Sequence, residues 1–580
     1  MDDAAHGARN LSYACGGSEV ALLGKRVGEV LDDTAAKFPN NDALIVRHQK
    51  RRYRYAEFRD EVNRVARALM ALGIQKGDRV GLWATNCAEW VLLQFATAKA
   101  GAILVNINPA NRAVELEHAL RQSECQALLL ISGFRDIDYP HLLRGLCPEL
   151  AHASPELRSR RLPLLRRLIF LGVNDGSGRQ AVVPEGMTGW NAMLAMAEQV
   201  SPSELEARGA SLDLDDAINI QYTSGTTGLP KGATLSHHNI VNNGMLIAHA
   251  MHFSERDRLC IPVPFYHCFG MVLANMACVV TGATMVVPAP YFDAEATLRA
   301  VSEEHCTALH GVPTMFIAEL EHPVFRECDL STLRTGIMAG SPCPIEIMKR
   351  VVSQMHCREL TIAYGLTEAS PVITQTTPDD PIELRVTTVG KVLPHTEVKI
   401  VNPKSGETVL IGEQGELCTR GYHVMKGYYK DPEATAKVID RDGWLHTGDL
   451  SVLDQQGYFK ITGRAKDVII RGGENISPLE IEQFLYTCPG ISDVQVIGIP
   501  DAKYGEQVAA WIKPAEGATL TAEQVREFCE GRIARFKIPR YIKFVEEFPT
   551  TISGKIQKFR MRQMTIAELG LEADAKIETA

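Results

Sequence analysis

Between residues 55 and 131 the chain alternates without interruption between helical spacing of apolar residues and short apolar runs of strand length. Phe58, Val62, Val65, Ala66, Leu69 and Leu72 recur at the three- and four-residue intervals that line one helix face, and Gly73 supplies a stop. The pattern then predicts a strand over 78–84, a helix over 89–100, a strand over 102–106, a helix over 114–123 and a strand over 127–131. Strands joined through helices run parallel, and a parallel sheet needs helices on its faces. The expected class is therefore α/β, with mixed or parallel sheets covered by helices. Residues 134–200, rich in proline, arginine and glycine, read as an irregular connection to which no chemistry is assigned. The arginines at 158, 160, 161, 166 and 167 read as a solvated face of it.

A chain of 580 residues exceeds what one hydrophobic core organises. A boundary is expected near Gly463-Arg-Ala-Lys-Asp467. Beyond it, Ser477-Pro478-Leu479-Glu480 combines a capping serine, a proline at the first helical position and a glutamate three residues after the cap, and Thr521 with Gln524 repeats the capping pattern. Residues 493–499 and 509–513 read as strands. Residues 1–465 are thus expected to form a large core, and 466–580 a small α+β unit of roughly 115 residues.

Bulk properties exclude several classes. A net charge of −9 argues against a nucleic-acid surface, which needs a basic excess. The 14 cysteines are scattered from Cys15 to Cys529 without a C-x-x-C pair or a zinc-like spacing, which suits reduced thiols in a cytosol. The first residues have neither the apolar stretch of a secretory signal nor the arginines of a transit peptide, so a cytoplasmic location is expected. Leu259–Phe292 contains no Asp, Glu, Lys or Arg and is long enough to span a bilayer. Four prolines bracket it and glycine and polar residues interrupt it, so the reading is a buried helix plus a strand, with no membrane span.

Tyr222-Thr-Ser-Gly-Thr-Thr-Gly-Leu-Pro-Lys-Gly232 is the strongest chemical signal. Gly225 and Gly228 let the backbone turn its N–H groups toward anionic oxygens, Thr223, Ser224, Thr226 and Thr227 add hydroxyl donors, and Lys231 adds a cation. A strand is expected before this loop and a helix after it, with Ser236 as the helix cap. The G-x-x-x-x-G-K spacing of the P-loop is missing and Lys231 precedes Gly232, so an ATP chemistry of another kind is indicated.

Six segments in order carry a resemblance: Tyr222–Gly232, Pro264-Phe-Tyr-His-Cys-Phe-Gly270, Tyr364-Gly-Leu-Thr-Glu368, His446-Thr-Gly-Asp-Leu450, Gly463-Arg-Ala-Lys-Asp467 and Ser553-Gly-Lys555. Together they resemble the adenylate-forming enzymes over nearly the whole chain, and the medium-chain fatty acyl-CoA synthetases in particular around Gln221–Asn243. The resemblance implies a ligase that uses ATP and Mg²⁺ to convert a carboxylic acid into an acyl-adenylate and then, with coenzyme A, into a thioester. It implies that Lys555 bridges the attacking carboxylate and the α-phosphate, that Glu368 holds Mg²⁺ with the hydroxyl of Thr226 or Thr367, and that Asp449 binds the ribose with Arg464 on ribose or phosphate. Tyr364 and Gly365 are expected against the adenine, with Gly340, Ser341 and Pro342 as the opposite wall. Phe265, His267, Met338 and Ala339 are expected to line the acyl site, with His267 also facing the incoming thiol. Lys466 takes the hinge position, and Arg471, Gly472, Gly473 and Glu474 border the coenzyme A tunnel after a rotation of the small C-terminal domain.

An aryl or branched-chain acid ligase is the neighbouring alternative, and a catalytically silent adenylate or acyl sensor is the alternative of another class. Lys231, Glu368, Asp449, Arg464 and Lys555 together speak against the sensor. Peptide-synthetase adenylation is disfavoured because no carrier segment is recognised after residue 555, and the sequence leaves homodimerisation open.

Overall fold

The alternation between residues 55 and 131 builds three of the eight strands of the first large sheet in the computed structural model, which describes residues 11–151, 156–173, 182–223, 230–472, 474–551 and 554–571. Helices Tyr55–Ala71, Ala88–Ala100 and Ala113–Gln122 alternate with strands Arg79–Trp83, Ile103–Asn106 and Cys125–Leu130, which pair in parallel. Every residue of Ala88–Ala100 is buried, as a helix without a polar face requires. The 134–200 segment departs from the expectation. It contains helices Tyr139–Leu146 and Trp190–Ala195, and its strand Arg167–Phe170 joins the sheet parallel to Cys125–Leu130. Leu168, Ile169 and Phe170 are buried there, a run too short among arginines to stand out in the sequence.

The second large sheet has nine strands. Its six central strands, Asp42–Val46, Thr284–Val287, Arg258–Cys260, Ala308–Gly311, Thr335–Ala339 and Glu359–Gly365, run parallel. The uncharged stretch folds into this layer as a buried π-helix, Phe269–Met276, a helical continuation Ala277–Thr281 and the strand Thr284–Val287. Among the described residues no helix is long and apolar enough to cross a membrane. The two sheets are joined at the carboxyl ends of their strands: Asn86 donates to the Val263 carbonyl and accepts from the Phe265 N–H, and Asn106 donates to the Tyr266 carbonyl. That is where open α/β sheets bind ligands.

A third, antiparallel sheet ends in strands Gly415–Gly421, Leu445–Leu453 and Phe459–Arg464. From Ile469 onward the chain forms its own sheet, with Ile481, Leu485, Val494, Val508 and Val525 packed on one face and Ile499, Trp511 and Met561 on the other. Thr521 closes the expected capping box on helix Ala522–Cys529. Ser477 does not cap Pro478–Leu485: its hydroxyl donates 2.6 Å to the carbonyl of Thr462, in the strand before the boundary, and Glu480 pairs with Lys537 instead. The serine ties the two parts of the chain together.

One buried group conflicts with its surroundings. Glu319 lies on helix Pro313–Glu321, is 1% exposed, and neither carboxyl oxygen meets a hydrogen-bond partner among the described residues. Burial raises its pKa well above the usual carboxylate range. The folded chain therefore keeps a proton that the unfolded chain releases, and stability falls as pH rises above the ordinary carboxyl value. Glu319→Met, similar in shape and without the polar atoms, should add about 1–3 kcal/mol to the unfolding free energy near pH 8 and distinctly less near pH 5. Urea unfolding at both pH values checks this, and an equal gain at each would show that ionisation is not the cause.

Candidate active site

The phosphate segment is carried by a hairpin. Strands Ala217–Thr223 and Lys231–Ser236 pair antiparallel, with Thr223 opposite Lys231, and helix His237–Ala250 starts only after the second strand. The expected strand and helix are both present, and the structure adds a second strand between them, which also pairs with Gly427–Tyr428. Ser236 caps the helix as expected, accepting from the Asn239 N–H. The Thr223 hydroxyl donates to the Lys231 carbonyl at 3.4 Å. Ser224, Gly225, Thr226, Thr227 and Gly228 lie outside the described residues.

Tyr428 organises the base of this hairpin. The Lys231 amine stands 5.1 Å from its ring centroid, and its hydroxyl donates to Glu368 Oε1 at 2.8 Å. Burial first, then the Glu368 charge, pushes the phenol pKa up, so it stays a donor. Sequence reading did not single out Tyr428; the available signal was a Gly-Tyr pair able to extend the hairpin ladder.

Tyr364 and Gly365 end the strand Glu359–Gly365, and Thr367 and Glu368 form the turn after it. A side chain at Gly365 would overlap the Pro371 carbonyl, 1.8 Å from a Cβ there. The Tyr364 hydroxyl donates to Asp449 Oδ2 at 2.9 Å, while Arg464, directly opposite Asp449 in the ladder, donates to Oδ1 at 2.8 Å. Asp449, 5% exposed, is thus held at both oxygens. The charge of Asp449 is the main cause that raises the Arg464 pKa. Gly340, at φ +90°, starts the turn with Ser341 and Pro342 that follows strand Thr335–Ala339.

Lys555 enters from the C-terminal unit on a tight turn. Gly554 donates to the Thr551 carbonyl at 2.9 Å and the Lys555 N–H to Thr551 Oγ1 at 3.1 Å. Gly554 has φ +78°, and a Cβ there would stand 2.8 Å from Val312, so only glycine lets the turn rest on the start of helix Pro313–Glu321. Thr314 Oγ1 donates to the Gly554 carbonyl at 3.3 Å. The lysine amine then lies 3.5 Å from His267 Nε2. Burial lowers the Lys555 pKa and Arg464 lowers it further, against the opposing pull of Cys268, Glu368 and Asp449. The structure therefore gathers Lys555, His267, Glu368, Asp449 and Arg464 around one crevice.

Burial, with Lys555 as the second cause, pushes His267 down to about 3. Its Nδ1 accepts from the Phe269 N–H at 3.2 Å, which leaves the imidazole proton on Nε2, facing the lysine. Burial pushes the neighbouring Cys268 thiol up to about 12, and the thiol donates to Gln221 Oε1 at 3.0 Å, so it is a core residue and no nucleophile.

The remaining expectations divide. Phe265 is fully buried with its ring 5.4 Å from Trp90, and Ala339 faces the same core. Met338 does not: successive strand residues point to opposite faces, and its side chain packs in the other core with Phe316 and Met348. Lys466 occupies a single turn, Ala465–Asp467, after Arg464. Arg471 donates to Gln507 Oε1 and stacks on Tyr504, Gly472 donates to the Tyr504 carbonyl, and Glu474 pairs with Arg471, all within the C-terminal sheet. Gly473 lies outside the described residues.

Known proteins place this arrangement. Residues 31–429 match the AMP-binding enzyme family and residues 480–555 the AMP-binding enzyme C-terminal domain. YngI of Bacillus subtilis, assigned to the acyl-CoA synthetases, is 52% identical over 553 residues, covering 95% of this chain and 99% of YngI. The mitochondrial medium-chain acyl-CoA ligase ACSF2 of Rattus norvegicus is 44% identical over 566 residues, covering 97% and 91%. Among solved structures, the anthranilate CoA ligase AuaEII in complex with anthranoyl-AMP superposes with a TM-score of 0.81 at 26% identity, covering 95% of this chain and 99% of its own. ATP-bound MatB from Rhodopseudomonas palustris gives 0.78 at 28% identity, covering 94% and 100%. Matched over most of its length and aligned nearly end to end with these relatives, the chain belongs to the AMP-binding, adenylate-forming enzymes.

Proposed function

We propose that the protein is an AMP-forming acyl-CoA synthetase that joins a medium-chain carboxylic acid to coenzyme A, using ATP and releasing pyrophosphate and AMP through an acyl-adenylate. One observation carries this reading: a lysine from the far end of the chain stands 3.5 Å from His267 in the crevice that also holds Glu368, Asp449 and Arg464. The medium-chain assignment follows the similarity to ACSF2.

A carboxylate must be activated because oxide is a poor leaving group. The Nε2–H of His267 and the Lys555 amine lie side by side at 3.5 Å, close enough for one carboxylate oxygen beside the pair to accept from both. With His267 held neutral, it orients the carboxylate and transfers no proton. The Lys555 charge, disfavoured by burial alone, becomes favourable once carboxylate and α-phosphate are present, and it offsets the charge that grows as the carboxylate oxygen attacks phosphorus. Asp449 shares its oxygens with the ribose hydroxyls, and Lys231 with the hairpin loop takes the outer phosphates. The Glu368 carboxylate, held by Tyr428 beside that loop, suits a hard cation that keeps water and phosphate as its other ligands. Glu368, with Thr226 or Thr367, would hold Mg²⁺, which supplies neutralisation of phosphate charge.

Coenzyme A must reach the carbonyl that Lys555 guards. The seam between the two parts of the chain is polar and sparse, including Ser492 to Glu321, Gln483 to the Cys343 carbonyl, Thr314 to Gly554 and Ser477 to Thr462. Such contacts exchange readily with water, which supports a mobile domain beginning at residue 466. We assign Lys466 as its hinge, with Arg471–Glu474 turning in to border the thiol's path. All 14 cysteines are free, which supports a reducing compartment and hence the cytoplasm.

Each buried methylene contributes about 0.8 kcal/mol, so an eight-carbon acid gains roughly 5 kcal/mol over acetate in a pocket deep enough to hold it. Pyrophosphate release and thioester yield across straight-chain, branched and aromatic acids should therefore peak at medium straight chains. A peak at aromatic acids would favour the chemistry for which AuaEII is named, and no nucleotide consumption with any acid would remove the proposal. Lys555→Ala should slow adenylate formation by about 10² or more while thioester formation from supplied acyl-adenylate survives. Equal loss in both half-reactions would contradict its role. Lys466→Pro should impair the thioester step more than adenylation in single-turnover assays, and unchanged transfer to coenzyme A would remove the hinge.

A further inference from the structure

Close to Asp449 along the same strand pair, three unlike ligand atoms converge. His446 Nδ1 lies 3.0 Å from Glu416 Oε2 and 3.4 Å from Cys418 Sγ, and all three atoms fall within 4.8 Å of one another. Glu416 and Cys418 are two residues apart on strand Gly415–Gly421, and Cys418 sits opposite His446 of strand Leu445–Leu453. Pairing of two strands, rather than a short sequence spacing, brings them together, so no zinc-like pattern is visible in the chain.

We infer that Glu416, Cys418 and His446 form a zinc site that braces the strand pair carrying Asp449. Zinc binds imidazole nitrogen and carboxylate oxygen at about 2.0–2.2 Å and thiolate at about 2.3 Å, so ligand atoms around a tetrahedral ion stand roughly 3.3–3.6 Å apart. The two separations found here need only a few tenths of an ångström of adjustment. A mixed sulfur, nitrogen and oxygen set selects zinc over Mg²⁺ or Ca²⁺. The second independent feature is Asp440, whose Oδ2 lies 3.6 Å from His446 Nε2, the nitrogen turned away from the cluster. A carboxylate in that position orients a metal-bound imidazole and raises its basicity. The cluster is reachable, since the His446 side chain is 33% exposed. Zinc displaces the Cys418 thiol proton to solvent, and a water completes the tetrahedron. The other Glu416 oxygen accepts from the Gly448 N–H at 3.0 Å, one residue before Asp449, so a fixed Glu416 also fixes the ribose-binding loop.

The test uses the full chain, freed of metal by chelation and without nucleotide. Titration with Zn²⁺ by calorimetry, and with Co²⁺ as the spectroscopic probe, should give one site with a thiolate-to-cobalt charge-transfer band and a zinc-dependent rise in Tm. Cys418→Ala should abolish the band and weaken Zn²⁺ binding at least about 100-fold, and Asp440→Asn should weaken it about 10–100-fold. Cys15→Ser, which removes an exposed thiol two strands away in the same sheet and outside the cluster, should change neither. Should Cys418→Ala fail to fold, Glu416→Gln takes its place, with about a tenfold or greater loss expected. Binding that survives in the cluster variants, disappears with Cys15→Ser, or is absent at micromolar Zn²⁺ overturns the site.

Discussion

A primary amine placed where burial disfavours its charge is the interaction on which this architecture turns. Lys555 belongs to a unit whose apolar cores begin at Ile469, yet its amine ends among groups supplied by two sheets of the larger part. Among the described residues, the contacts that seat its turn are with Val312 and Thr314. Positioning rests on shape: Gly554 lets the turn lie against Val312 and Thr314, and Gly340 leaves room beside the lysine stem, with Lys555 Cε 3.7 Å from where a Cβ would stand. Stability and chemistry are therefore separated in this fold. The sheets and the buried helices between them are rigid by apolar packing, and the seam that brings in the lysine is glycine, hydroxyl and amide.

The same separation appears around the nucleotide groups. Asp449, Arg464 and Tyr364 come from two different sheets and hold one another before any ligand arrives. Glu368 is held by Tyr428, which arrives on the short strand that extends the phosphate hairpin. Asp449 and Glu368 are thus each fixed in place by a neighbour, which, for the roles proposed above, limits the reorganisation left for the reaction itself.

Much of this was legible in the residues. The helix and strand alternation between 55 and 131 could be read because each element keeps one periodicity over its length, and the boundary after Gly463 because capping residues and a change of pattern coincide. The hydroxyl and glycine segment marked the phosphate loop, although its hairpin setting was hidden: Lys231–Ser236 becomes a strand by pairing with distant residues. Ser477 looked like a cap because a short sequence window cannot show that the Thr462 carbonyl competes for its hydroxyl. Met338 and Ala339 were read as neighbours in one pocket, and alternation along a strand, a rule available from sequence, already forbids that. Tyr428 and the trio Glu416, Cys418 and His446 depend on ladder register between segments far apart in the chain, and no local pattern encodes register.

The two donors that confront each other, Lys555 and the Nε2–H of His267, carry a consequence for occupancy. At 3.5 Å, with burial already lowering the lysine pKa, the pair disfavours the lysine charge, and an anion accepting from both groups would offset that cost. The hold on the lysine is thereby coupled to the charge of whatever occupies the site, because the same amine that an anion steadies is disfavoured by burial without one.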